Sequence, residues 1–152
     1  RHIEGELSRK RSLAKRLRSS KRYEESYEIA IMVLEENPDD LQMLALMTEI
    51  GQYVEQPLAA LEAYHRLDEL GEAKLYHLRR FANIAIKEAS VEDMHLAVQR
   101  LVGLDVDANA TIRNAYIQLC DPKLFRQFQY SITLYDTMIV TRLAQDDCQE
   151  PN

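Results

Sequence analysis

The sequence predicts an all-α protein, and three features predict it. Gly and Pro number only four each in 152 residues, too few for the many tight turns of an all-β chain. Leu, Ala, Glu, Lys and Arg, all good helix formers, are plentiful. Apolar side chains recur at helical spacing between breaks, most plainly over 23–36. With 46% hydrophobic and 29% charged residues, the chain has the balance of a folded domain long enough to bury a core, and 1–152 is expected as a single domain.

The elements follow in order. A first helix over 7–19 carries Leu7, Leu13, Ala14 and Leu17 on one stripe, and a second covers 22–36. The second stops before Pro38, because the residue preceding a proline disfavours the α conformation. Asp39 and Asp40 cap a third helix over 40–52, which ends near Gly51. Pro57 opens a fourth over 56–70, where a missing N–H costs little, and Gly71 ends it. A fifth covers 73–88, and a sixth over 91–104 starts at Ser90 and Asp93. The last two are expected over 108–119 and, opened by Pro122, over 122–144. Residues 1–6 and 145–152 are expected to be flexible ends. The chain begins at Arg1, not Met, so a piece of a longer protein is expected.

The stretch from Tyr23 to Asp40 places Ser26, Ala30, Val33 and Pro38 at the spacing of a small residue, an alanine or aromatic, a second small residue and a terminal Asn-Pro. It resembles the second helix of a tetratricopeptide repeat. That resemblance implies a right-handed superhelical stack of about four antiparallel helix pairs, an α-solenoid, with pairs at about 7–36, 40–70, 73–104 and 108–144. It also implies a 34-residue period, which can be tested within the chain. Steps of 34 link Ser26 to Ala60, Met94 and Phe128, and Ala30 to Tyr64, Val98 and Ile132. Ladders from Val33, Leu13, Ala14, Leu17 and Lys10 behave alike. Over seven ladders 24 of 28 positions are apolar, where 46% composition gives about 13. Ala14, Ala60 and Ala82 are small enough for helix backbones to cross closely. The family's aromatic and glycine signature in the first helix is absent, and Met94 and Phe128 enlarge the crossing position in pairs three and four. The last helix, with Phe125, Phe128, Ile132, Tyr135 and Ile139, either caps the stack or covers a partner.

No catalytic, cofactor or metal site is expected, and the chain is not read as an enzyme. His2, His65, His77 and His95 have no partner four residues away to build a metal face. There is no phosphate-binding glycine loop and no nucleophile elbow. The acidic pairs Glu24-Glu25, Glu35-Glu36, Asp39-Asp40 and Asp146-Asp147 fit exposed faces or helix ends. Cys120 and Cys148 fit reduced thiols, and no run is long enough for a membrane helix. The expected location is cytoplasmic, including the cytoplasmic part of a membrane-associated protein.

In the family that the chain resembles, the first helix of each pair lines a concave groove. The outward positions of those helices are Arg11, Lys15 and Arg18, then Gln42, Ala45, Glu49, Gln52 and Tyr53, then Tyr76, Arg79, Asn83 and Lys87, and last Arg113 and Ile117. Such a partly basic groove would hold a partner protein or an acidic peptide. The Lys, Asn and Arg carboxylate clamp of the chaperone-binding members is matched only loosely, by Arg11, Lys15, Arg79 and Asn83. Charge is also uneven: residues 1–22 carry a net +7 and residues 23–152 a net −13. The basic run 9–22 fits a solvated first helix or an anionic membrane surface. Nucleic acid is disfavoured, because no aromatic interleaves the charges. The expected function is therefore a protein-interaction scaffold or adaptor. The alternative is a regulatory or assembly domain of a larger enzyme or membrane-associated complex, such as a bacterial envelope or polysaccharide assembly. A homodimer is open, and no small-molecule substrate is expected.

Overall fold

A computed structural model describes residues 2–104, and the fold is all-helical there. Six helices follow one another: α1 (His2–Ser19), α2 (Tyr23–Glu36), α3 (Leu41–Ile50), α4 (Pro57–Glu69), α5 (Leu75–Lys87) and α6 (Val91–Gly103). There is no strand among the described residues. The expected helices over 108–119 and 122–144, the tail 145–152, both cysteines and Arg113 lie outside them. The chain divides into two compact units, 1–80 and 81–152. Each is described by itself.

The helix starts repeat. Tyr23, Pro57 and Val91 begin α2, α4 and α6, and Leu41 and Leu75 begin α3 and α5, all at steps of 34 residues. So does the backbone geometry ahead of the even helices. The N–H groups of Arg22, Gln56 and Ser90 donate to the carbonyls of Leu17, Gly51 and Ala85. Lys21, Glu55 and Ala89, the residues before those donors, all take positive φ of 54 to 61°. A left-handed residue followed by a six-to-one hydrogen bond closes a helix C-terminus, and glycine usually fills that place. Here none of the three is glycine, so the sequence carries no glycine mark at these turns. Gly71, with φ of 72°, ends α4 in the same way, as expected.

The first helix begins earlier than the expected boundary at residue 7. Nothing over 2–6 breaks a helix, and Glu4 in the first turn suits the dipole. Glu4 also accepts a hydrogen bond from Arg11 at 3.1 Å, two turns along the same face.

In unit 1–80, α1 packs on α2, α2 on α3 and α3 on α4, and α1 also touches α3. The core holds Leu7, Ala14, Ala30, Val33, Met43, Met47, Ile50, Ala63 and Leu67. Ala14 and Ser26 meet where α1 and α2 cross, and the buried Ser26 hydroxyl donates to the Ala14 carbonyl at 2.7 Å. A polar side chain in a core is tolerated because its one donor is satisfied. Among the described residues of unit 81–152, the buried side chains are Phe81, Ala82, Ile84, Ala85, Met94, Ala97, Val98 and Leu101.

His77 is the buried polar group with the clearest consequence. It sits in the first turn of α5, 2% exposed. Its Nδ1 accepts from the Lys74 backbone N–H at 3.0 Å, doing the reaching-back half of a capping box. An imidazole that accepts at Nδ1 must be neutral. Burial first, then the charges of Arg80 and Lys74, lower its pKa. Burial lowers that of His95 as well. The unfolded chain therefore binds more protons below about pH 6.5, so stability rises with pH through that window. Denaturant titrations should show stability falling as pH drops from about 7 to 5.5, with a slope of at most about 1.4 kcal/mol per pH unit for each group. His77→Asn keeps an acceptor for the Lys74 N–H, and it should flatten that fall. An unchanged slope in the variant would remove His77 from the account.

Candidate functional site

Three helices build one recess in unit 1–80. Lys15 and Arg18 come from α1; Gln42, Ala45, Leu46 and Glu49 from α3; Tyr76 and Arg80 from α5. The pocket has a volume of about 250 Å³, and no residue of α2 or α4 lines it. Each helix brings its residues by the same spacing, three, four or seven apart, which keeps them on one face.

Its charges are arranged around one carboxylate. Glu49 Oε1 receives Arg18 Nη1 at 3.1 Å and lies 3.6 Å from Arg80 Nη2. Two guanidiniums thus share one oxygen. Arg80 also donates to Thr48 Oγ1 at 3.4 Å, and its guanidinium carbon lies 5.0 Å from the centre of the Tyr76 ring. Lys15 Nζ donates to Gln42 Oε1, a neutral partner. Among the described lining residues, three cations and one anion leave two surplus positive charges. Ala45 and the buried Leu46 supply its apolar part.

The structure brings together Lys15, Arg18, Gln42, Ala45, Glu49 and Tyr76 of the residues expected to line a groove. Arg11 is not among the lining residues. Its side chain, 15% exposed, is held by Asp40 Oδ2 at 2.5 Å and by Glu4, and the Asp40 hydrogen bond is the main reason its pKa is raised. Asp40 is correspondingly no solvated surface carboxylate: it is buried, and a carboxylate there needs a counter-ion. Tyr53 lies against Tyr23, with ring centres 4.5 Å apart, and also does not line the pocket. Arg79 is exposed and outside the lining, while Asn83 and Lys87 are exposed in the other unit. Arg113 lies outside the described residues.

Two lining residues are absent from the expected groove positions, the buried Leu46 and Arg80, the latter one position along from Arg79. A signal existed. Arg80 stands 34 residues after Leu46, which lines the same pocket, whereas Arg79 stands 34 after Ala45. Both phases of the repeat face the recess on α3, and only the second does on α5.

Among the described residues no group of three or more His, Cys, Asp or Glu is placed to hold a metal, and no helix is long and apolar enough to cross a membrane. Compared with protein-family models, curated proteins and solved structures, the chain has no match.

Proposed function

We propose that this chain is a tetratricopeptide-like interaction domain, a right-handed superhelical stack that holds a partner protein or peptide against the pocket of α1, α3 and α5. One observation carries the reading: among the described helices only the odd ones line the recess, as the first helices of successive pairs line a groove in such stacks. The 34-residue recurrence of helix starts and left-handed turns supports the repeat side of it. The pocket's two surplus positive charges support an acidic partner segment, because charge-assisted hydrogen bonds from arginine to carboxylate are both strong and directional.

A photo-crosslinking residue at Ala45, in the pocket lining, and another at Met32, exposed on α2, test the reading in cells. Crosslinks are expected from position 45, and Lys15→Glu with Arg80→Glu should abolish them. Equal capture from position 32, or capture from 45 that ignores the two reversals, would refute a pocket-bound partner.

A second reading is a regulatory or assembly domain of a larger enzyme or membrane-associated complex, with α1 near an anionic membrane. Its specific support is that Arg9 and Arg16, seven residues apart, are exposed on one face of α1 with no side-chain hydrogen bond or ion pair among the described residues. Cosedimentation with phosphatidylserine vesicles that is lost in Arg9→Glu, Arg16→Glu would favour it.

A further inference from the structure

We infer that Glu49 is a built-in competitor for the acidic segment that the pocket receives, so that its carboxylate sets how tightly such a segment binds. The inference rests on the pocket being the partner site. Glu49 is three-quarters buried, and a single oxygen of it lies between Arg18 and Arg80, at 3.1 and 3.6 Å. It is the only acidic residue among the described residues that line the recess. A guanidinium engaged by an internal carboxylate has fewer N–H groups for an external one. An incoming carboxylate must either displace Glu49 from Arg18 and Arg80 or share them against like-charge repulsion. Two neighbouring cations of α1 are engaged elsewhere: Lys15 donates to Gln42, and Arg11 is held by Asp40 and Glu4.

The chemistry of the recess favours an acidic peptide over a nucleic acid or a lipid surface. The cations lie in a small concavity with Ala45 and Leu46 beside them, not along a flat face that could follow a phosphate backbone or a bilayer. A side-chain carboxylate on a short apolar stem fits that combination. The internal ion pair also marks the geometry, because the position taken by Glu49 is one where a carboxylate is held by two guanidiniums.

Removing the competitor should tighten binding. The probe is a fluorescein-labelled octaglutamate peptide, titrated by anisotropy at low salt against the full 152-residue chain. Glu49→Gln is expected to bind it about three- to tenfold more tightly than the native chain, the range of an ion pair that is partly exposed. Arg80→Gln should weaken it by a similar factor. Glu28→Gln, which makes the same change of net charge on the exposed face of α2, should leave affinity within about twofold. Circular dichroism and melting curves establish that each variant is folded. Native affinity that is unchanged or reduced in Glu49→Gln would overturn the inference, with binding and its loss in Arg80→Gln leaving the pocket itself intact. An equal gain in Glu28→Gln would make the effect one of overall charge and also overturn it. Absence of peptide binding in every variant, or a gain for Glu49→Gln only on phosphatidylserine vesicles, would overturn the pocket reading together with the inference.

Discussion

Asp40→Ala is expected to destabilise the fold by about 3 kcal/mol, because one side chain does two jobs at a buried place. Its Oδ1 accepts from the Met43 N–H at 3.0 Å, capping α3, and loss of such a cap costs about 1 kcal/mol. Its Oδ2 holds Arg11 Nε at 2.5 Å, with Asp40 nearly shielded from solvent and Arg11 only 15% exposed. Removing one partner of a buried pair leaves a charge poorly solvated, at a cost of several kcal/mol when burial is complete. The cost here is smaller, since Glu4 still reaches Arg11 at 3.1 Å from an exposed position. Asp40→Asn separates the two parts: it keeps a capping oxygen and loses the charge, so it should fall between Ala and the native chain. Arg11→Met in the Asp40→Ala background should recover part of the loss, as the unpaired cation is then gone. Urea midpoints for these three variants and for Arg11→Met alone decide the matter. If Asp40→Ala costs no more than an ordinary cap and shows no coupling to Arg11, the ion pair contributes nothing.

This pair also shows what the sequence conceals. Asp40 is legible as a cap, from its place before an apolar run and after Pro38. That Arg11, 29 residues earlier, provides its counter-ion depends on how α1 lies along α3, which no local pattern encodes. Arg11 therefore reads from sequence as one more groove cation, and the fold uses it to neutralise a buried carboxylate. The core is more open to reading. The ladder positions Ser26, Ala60 and Met94, and Ala30, Tyr64 and Val98, are all buried, because a 34-residue period carries each onto the same face of its helix. Leu13 and Lys10 are only half-buried, at the ladders' start on α1. The pocket lies between these cases. Six expected residues meet there, yet Arg79 and Arg80 differ by one step of about 100° around α5, finer than apolar spacing alone resolves.

Gly51→Val should cost about 3 kcal/mol, and Gly51→Ala about 2, for a reason unrelated to backbone freedom. Gly51 has φ of −55° and ψ of −36°, a helical conformation in which any residue is comfortable and alanine would ordinarily gain up to about 1 kcal/mol over glycine. What forbids a side chain is space. A Cβ at this position would lie 2.8 Å from the Ala60 Cβ and 2.9 Å from the Gln56 carbonyl oxygen. One contact is with a side chain and the other with backbone, so the end of α3 and the start of α4 would have to separate. Overpacking of this kind outweighs the propensity gain, since close-packed interiors transmit strain rather than absorb it. The two contacts can be told apart. Ala60→Gly removes the first and leaves the second, so Gly51→Ala should be partly, not wholly, rescued by it, with a coupling of about 1 kcal/mol in a double-mutant cycle. Thermal unfolding of the single and double variants supplies the four corners. A Gly51→Ala chain as stable as the native one, with no coupling to Ala60, would mean that α3 and α4 do not meet as closely as 2.8 Å requires.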